Sequence, residues 1–191
     1  MSLLRGLLSP YATYATYASL FGVVMEEDYP YTAETGDCTF DAKETNVSVM
    51  TMGWETLPHN DLLAVMEHLA NKGPLSVAVA SSDWSGLYEG GVFDGGDYDQ
   101  DIIIDHGVLL VGYGTDDDLG DYWIVKNSWG QSWGEEGYIR LRRRSEPKCG
   151  YDNSPLDGTY CAGSAVDSVY VCGTCGILSD TSFPMGTFYV N

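Results

Sequence analysis

Three apolar segments at 107–113, 122–127 and 138–142, parted by glycine-bearing turns, constrain this chain more than any other stretch of it. Each is short, rich in β-branched or aromatic residues and bounded by Gly, the pattern of strands rather than helices. A fourth such segment, 75–80, follows Gly73-Pro74. Ahead of it, Pro58-His59-Asn60-Asp61 leads into Leu62, Leu63, Val65, Met66 and Leu69. That spacing predicts one helix with an Asn or Asp cap, stopped at Gly73-Pro74. At 191 residues and 44% hydrophobic content the chain can bury one good core and part of a second.

The strands carry chemistry-bearing residues at their ends. His106 precedes the first of the three and Asn127 closes the second, followed by the Trp-Gly pairs 129–130 and 133–134. Taken singly these are unremarkable, since a His beside an apolar strand is usually a packed or surface histidine and Trp-Gly marks a tight turn. Their conjunction is specific. Asp105-His-Gly-Val-Leu-Leu-Val-Gly-Tyr-Gly114, followed by Tyr122-Trp-Ile-Val-Lys-Asn-Ser-Trp-Gly130 and Trp133-Gly-Glu-Glu-Gly137, resembles the His and Asn segments of papain-like cysteine peptidases, cathepsin L-like in type.

The resemblance implies an α+β, papain-like fold. Residues 1–54 would be the remnant of a helical left-hand domain, with 1–10 unmatched. Residues 55–191 would be the right-hand antiparallel β-barrel domain, with an insertion at about 145–171 similar to that of some protist enzymes. The Ala12, Ala15 and Ala18 stripe reads as a helix, placed by the family just before the Tyr29-Pro-Tyr31 loop.

The implied chemistry is thiol-dependent peptide-bond hydrolysis. A free thiol with a pKa near ~8.5 is mostly protonated, so it needs a partner that stabilises the thiolate. His106 would supply it as imidazolium and later protonate the leaving amine. The Asn127 carbonyl would orient the ring without the proton-withdrawing charge of a carboxylate. Trp129 would cover that hydrogen bond and Trp133 line the leaving-group side. By the same resemblance Ala78, Ile104 and Asp105, with Asp180 near the C-terminus, fall at substrate-binding positions. Ala78 and Ile104 would suit a Leu or Phe side chain, while Asp180 either adds a charge for Arg or faces solvent. No cofactor and no metal is implied; a peptide or protein substrate is, together with cystatin-like inhibitors.

The expected nucleophile is not found among the five cysteines. In the family it lies roughly 130–150 residues before the His and Asn, inside Cys-Gly-[Ser/Ala]-Cys-[Trp/Tyr], which from His106 places it ahead of Met1. The chain by itself is therefore expected to be inactive, and Cys38 to be unpaired. Cys149, Cys161, Cys172 and Cys175 are candidates for disulfides, with one of them free in turn. A Cys-x-x-Cys redox pair at 172–175 and a zinc site are the alternatives. The first lacks a thioredoxin-like context and the second lacks paired knuckles.

Nine basic against 28 acidic residues give a net charge of −19, which disfavours nucleic acid and anionic membranes as partners. Pro10 and the polar Tyr-Ala-Thr repeats break up any signal-peptide core, and no apolar run is long enough to span a membrane. The resemblance implies a lysosomal, vacuolar or extracellular full-length protein, where the Asn46-Val-Ser48 sequon would be usable. Three functions stand open: part of a peptidase, a pseudo-peptidase that binds peptides or proteins, and an unrelated disulfide or zinc scaffold.

Overall fold

The computed structural model describes residues 22–30, 46–95, 101–157 and 167–190. Its centre is a seven-stranded sheet. In chain order the strands are β1 (Val23–Val24), β2 (Val47–Met50), β3 (Gly53–Thr56), β4 (Leu75–Val79), β5 (Val92–Phe93), β6 (His106–Asp116), β7 (Gly120–Lys126), β8 (Tyr138–Arg142), β9 (Cys149–Asp152), β10 (Val169–Cys172), β11 (Thr181–Met185) and β12 (Phe188–Tyr189). The large sheet runs β3-β11-β4-β6-β7-β8-β5. Its neighbours are antiparallel except at the edge, where β5 pairs parallel to β8.

Alternation explains which face is buried. Leu75, Val77 and Val79 of β4, Val108 and Leu110 of β6, Trp123 and Val125 of β7, and Ile139 and Leu141 of β8 all join one core. Successive side chains point to opposite faces, so a period of two puts every one of them on the same side. That side is closed by α1 (Leu62–Asn71), which contributes Val65 with Leu62, Met66 and Leu69 packed around it. The helix starts where Asp61 accepts the Ala64 N–H at 3.0 Å, satisfying one of the donors a first turn leaves open. It stops at Gly73, whose φ of +124° an L side chain rarely adopts and whose N–H closes on the His68 carbonyl.

Two small sheets flank this body. One runs β1-β2-β12; the other is an arm made of β9 and β10 alone. The arm covers most of the expected insertion, with Cys172 one residue past its expected end, and is closed by the Cys149–Cys172 disulfide, the two residues standing opposite each other in its register. The helix expected over 12–18, Cys38 and Cys161 lie outside the described residues. Of the four candidate disulfide formers, one of which is expected to be free, Cys175 is a free, buried thiol in the 3-10 turn Thr174–Gly176. Within the described residues no helix is long and apolar enough to cross a membrane.

Candidate active site

His106 and Asn127 meet because β6 begins where β7 ends. The register pairs Leu109 with Lys126, so the start of β6 and the residue after β7 lie at one end of the sheet. His106 is also held opposite Val79 of β4. Its Nε2 lies 2.9 Å from Asn127 Oδ1. The same Oδ1 accepts the Ser128 backbone N–H at 2.8 Å. A backbone N–H can only donate, so the atom facing it must be the amide oxygen, and the ring nitrogen facing that oxygen must carry a proton. His106 is thereby fixed with hydrogen on Nε2, leaving Nδ1 as the nitrogen able to exchange a proton with a reacting group.

The pair is sheltered. Asn127 is buried, and the Trp129 indole stacks on the His106 ring at 4.8 Å between centroids and 23° between planes. Trp133 meets Trp129 edge-on at 5.1 Å. Beneath both lies Trp84, wholly buried, 5.3 Å from Trp129 and 6.0 Å from the His106 ring. Two of the indoles find carbonyls: the buried Trp84 donates to Ala80 and the half-buried Trp133 to Ser85. Excluding water from one side of the His–Asn bond strengthens it.

The turn between β7 and β8 presents these indoles. Gly134 has φ +55°, and a Cβ there would lie 2.6 Å from the Tyr138 carbonyl oxygen and 3.0 Å from Tyr88. Only glycine fits. Next to it Glu135 accepts two hydrogen bonds from Arg140, at 2.7 and 2.9 Å, and one from the Gly91 N–H. Arg140 is the main reason the Glu135 carboxyl is held below its ordinary range, while burial opposes it. The fork also reaches Asp116 at 3.3 Å.

The other expected residues gather beside this site. The Asp105 carboxylate accepts the Ser81 N–H at 2.9 Å, and the Asp105 N–H bonds the Val79 carbonyl, which ties the residue before His106 to the end of β4. Ala78 and Ile104 share one cluster with Ile102 and Val171, and the Ala78 N–H donates to the Asp180 carbonyl at 3.2 Å. Ala78, Ile104 and Asp180 are thus neighbours, but Ala78 and Ile104 have no exposed surface. Burial raises the Asp180 carboxyl above its ordinary range, with His59 opposing.

No described cysteine is poised as a nucleophile. Cys149 and Cys172 are joined to each other, and the Cys175 thiol is pushed up to about 12 by burial, with the Trp84 indole pulling the other way. Such a group is the reverse of a reactive thiolate. Sequence reasoning missed Trp84 and Ser128. Ser128 acts through its backbone, and the Ser81-Ser-Asp-Trp84 stretch carries no motif.

A model described as the papain family cysteine protease matches residues 8–159. A cathepsin L-like protein of Caenorhabditis elegans is 44% identical over 133 residues, covering 68% of this chain and 38% of that protein. A vignain of Vigna mungo is 42% identical over 141 residues, covering 73% of this chain and 37% of that one. The chain thus spans under two fifths of the length of these relatives. Among solved structures, the bromelain protease of Ananas comosus in complex with the E64 inhibitor superposes with a TM-score of 0.67 at 31% identity. That match covers 91% of this chain and 66% of bromelain. The strand order, the His–Asn pair and a family match over most of the length agree, and the chain belongs to the papain family of cysteine proteases, with a papain-like fold.

Proposed function

We propose that the described residues form the acid–base half of a thiol protease, with the thiol supplied from outside them. The observation that carries this reading is the Asn127 oxygen, held by Ser128 and turned on the protonated Nε2 of His106. With that nitrogen committed, Nδ1 takes a proton from a thiol, the resulting imidazolium stabilises the thiolate, and Nδ1 returns the proton to the leaving amine. Asn127 holds the ring plane through both steps, and Trp129 keeps water off the orienting bond. Trp133 forms the wall on the leaving-group side. The substrate is a peptide or protein, and cystatin-like inhibitors would compete for the same cleft. The disulfide fits an oxidising compartment, hence a lysosomal, vacuolar or extracellular setting.

The absence of a poised thiol among the described cysteines supports the companion claim that the 191-residue chain hydrolyses nothing by itself. It equally favours a second reading, a pseudo-peptidase that binds peptides. One experiment separates them. The chain alone is expected to cleave no peptide and to take no label from an epoxysuccinyl thiol probe. Joined behind a papain-family segment bearing the thiol, it should cleave peptides, and His106→Ala should abolish the activity. Binding of peptides without cleavage in the joined protein would establish the pseudo-peptidase. Labelling of Cys38 or Cys161 in the chain alone, lost on His106→Ala, would place the nucleophile inside it.

Ala78 and Ile104, which have no exposed surface, are proposed to back the pocket for the second residue before the scissile bond, and Asp180 to form its floor. A carboxyl made harder to ionise by burial pairs less well with Arg. In the joined protein Phe should therefore be favoured over Arg there, and Asp180→Ser should lower the Arg-to-Phe ratio of kcat/KM only modestly. An unchanged ratio would remove Asp180 from the pocket.

A further inference from the structure

We propose that Asp152 is a positioning residue for His106: from the disulfide-closed arm its buried carboxylate fixes the backbone of residues 101–105 and so the direction in which the His106 ring is presented. The proposal rests on reading His106 as the acid–base residue, but its test does not.

Residues 101–105 lie outside every strand, yet their burial alternates as in one, with Ile102 and Ile104 buried and Ile103 exposed. Such a segment needs partners for its alternate N–H groups. On one side the Asp105 N–H reaches the Val79 carbonyl of β4. On the other, the Ile102 N–H donates to the Tyr151 carbonyl at 3.0 Å and the Ile104 N–H to Asp152 Oδ2 at 3.2 Å. The second bond is made to a side-chain carboxylate where a regular sheet would offer a backbone carbonyl. The other oxygen of Asp152 accepts the Ser154 N–H at 3.0 Å. Asp101 completes the seam by accepting the Asn153 N–H and the Ser154 hydroxyl, at 2.6 and 3.0 Å.

Asp152 has no exposed surface. A carboxylate is costly to bury, and this one is raised by desolvation and by Asp101 and Asp157 nearby, so its hydrogen bonds are what hold it in place. Its supports are specific. Val171 of β10 packs with Ile102, Ile104 and Ala78, and the Cys149–Cys172 bond locks the strand pair three residues before Asp152. The seam ends on Ile104, two residues before the histidine. Between them Asp105 is pinned to both Val79 and Ser81, which leaves the chain little freedom to turn.

The test is hydrogen exchange by NMR on the full chain, comparing wild type, Asp152→Ala, Asp152→Asn and the double variant Cys149→Ser/Cys172→Ser. In Asp152→Ala the Ile104 amide and the His106 Nε2–H should each exchange at least about tenfold faster, while the Leu110 and Val125 amides keep their wild-type rates. Asp152→Asn keeps one acceptor oxygen for two N–H donors, Ile104 and Ser154, so its rates at both positions should fall between those of wild type and Asp152→Ala. The double serine variant should show the same pattern more weakly, and it carries the test if Asp152→Ala does not fold. Acceleration at Ile104 with an unchanged His106 ring proton would overturn the proposal, as would uniform acceleration at all amides or none at Ile104. Failure of the joined protein to cleave peptides, with these rates as expected, would overturn the proposed function and leave this inference standing.

Discussion

His106 and His68 each lie against an aromatic ring, Trp129 at 4.8 Å and Phe183 at 4.2 Å, but at opposite kinds of place in the fold. His106 sits half-buried at a strand end with its Nε2 on an acceptor whose own orientation a backbone N–H dictates. His68 sits on the inner face of α1, 6% exposed, with its Nδ1 lacking a hydrogen-bond partner. Burial, and after it Lys72, lowers its pKa. Aromatic cover is common to both. What differs is a directed acceptor and an open side, and those two features turn a packed histidine into one that can pass a proton in a set direction.

The two histidines should differ most when each ring is deleted in the joined, thiol-bearing protein. His106→Ala should lower kcat/KM by on the order of 10³-fold or more, the scale of a lost acid–base group, while His68→Leu should leave it within about tenfold. Equal losses would erase the distinction. The next effect falls on the turn that only the His106 end possesses. Gly134→Ala drives a methyl into the Tyr138 carbonyl at a positive φ and should cost about 2–4 kcal/mol in denaturant unfolding. A loss under about 0.5 kcal/mol would show that the turn gives way without moving Trp129 and Trp133.

Much of this was legible in the sequence, and what was not has physical reasons. The strands at 75–80, 107–113, 122–127 and 138–142 appear within a few residues of their expected bounds, because one buried face imposes the alternation. β6 and β7 run on to Asp116 and back from Gly120, since Asp116 accepts the Asp118 and Leu119 N–H groups and makes a polar stretch into a hairpin turn. The β9–β10 arm could not be seen. Its strands are four residues each, inside a segment rich in Pro, Gly and Asp, and a disulfide and a carboxylate hold it rather than a periodic apolar face. At the site the His, Asn and Trp residues could be read from their order. Trp84 and Ser128 could not, nor could the part proposed for Asp152, because tertiary placement alone brings these residues to the site. Cysteines look alike in a sequence, and geometry selected Cys172 over Cys175 as the partner of Cys149.

The two histidines differ least, but still measurably, in how pH acts through them. The folded His68 pKa lies below the ordinary value near ~6.5, so its neutral form contributes stability above that value. That contribution is lost as pH falls below it toward the folded pKa. His68→Leu should therefore be less sensitive to acid than wild type over this window, by about 1 kcal/mol or less. Parallel stability curves for the two proteins between neutral and mildly acidic pH would show that His68 is not held neutral by its surroundings.

The central claim, that Asn127 directs the proton of His106, is open to one direct measurement. Ring ¹⁵N shifts of His106 in the 191-residue chain, recorded at mildly alkaline pH, report which nitrogen carries hydrogen. The account predicts hydrogen on Nε2 and a bare Nδ1 in the wild type, with the preference lost in Asn127→Ala. A ring protonated on Nδ1, or one whose tautomer ignores Asn127→Ala, would contradict it.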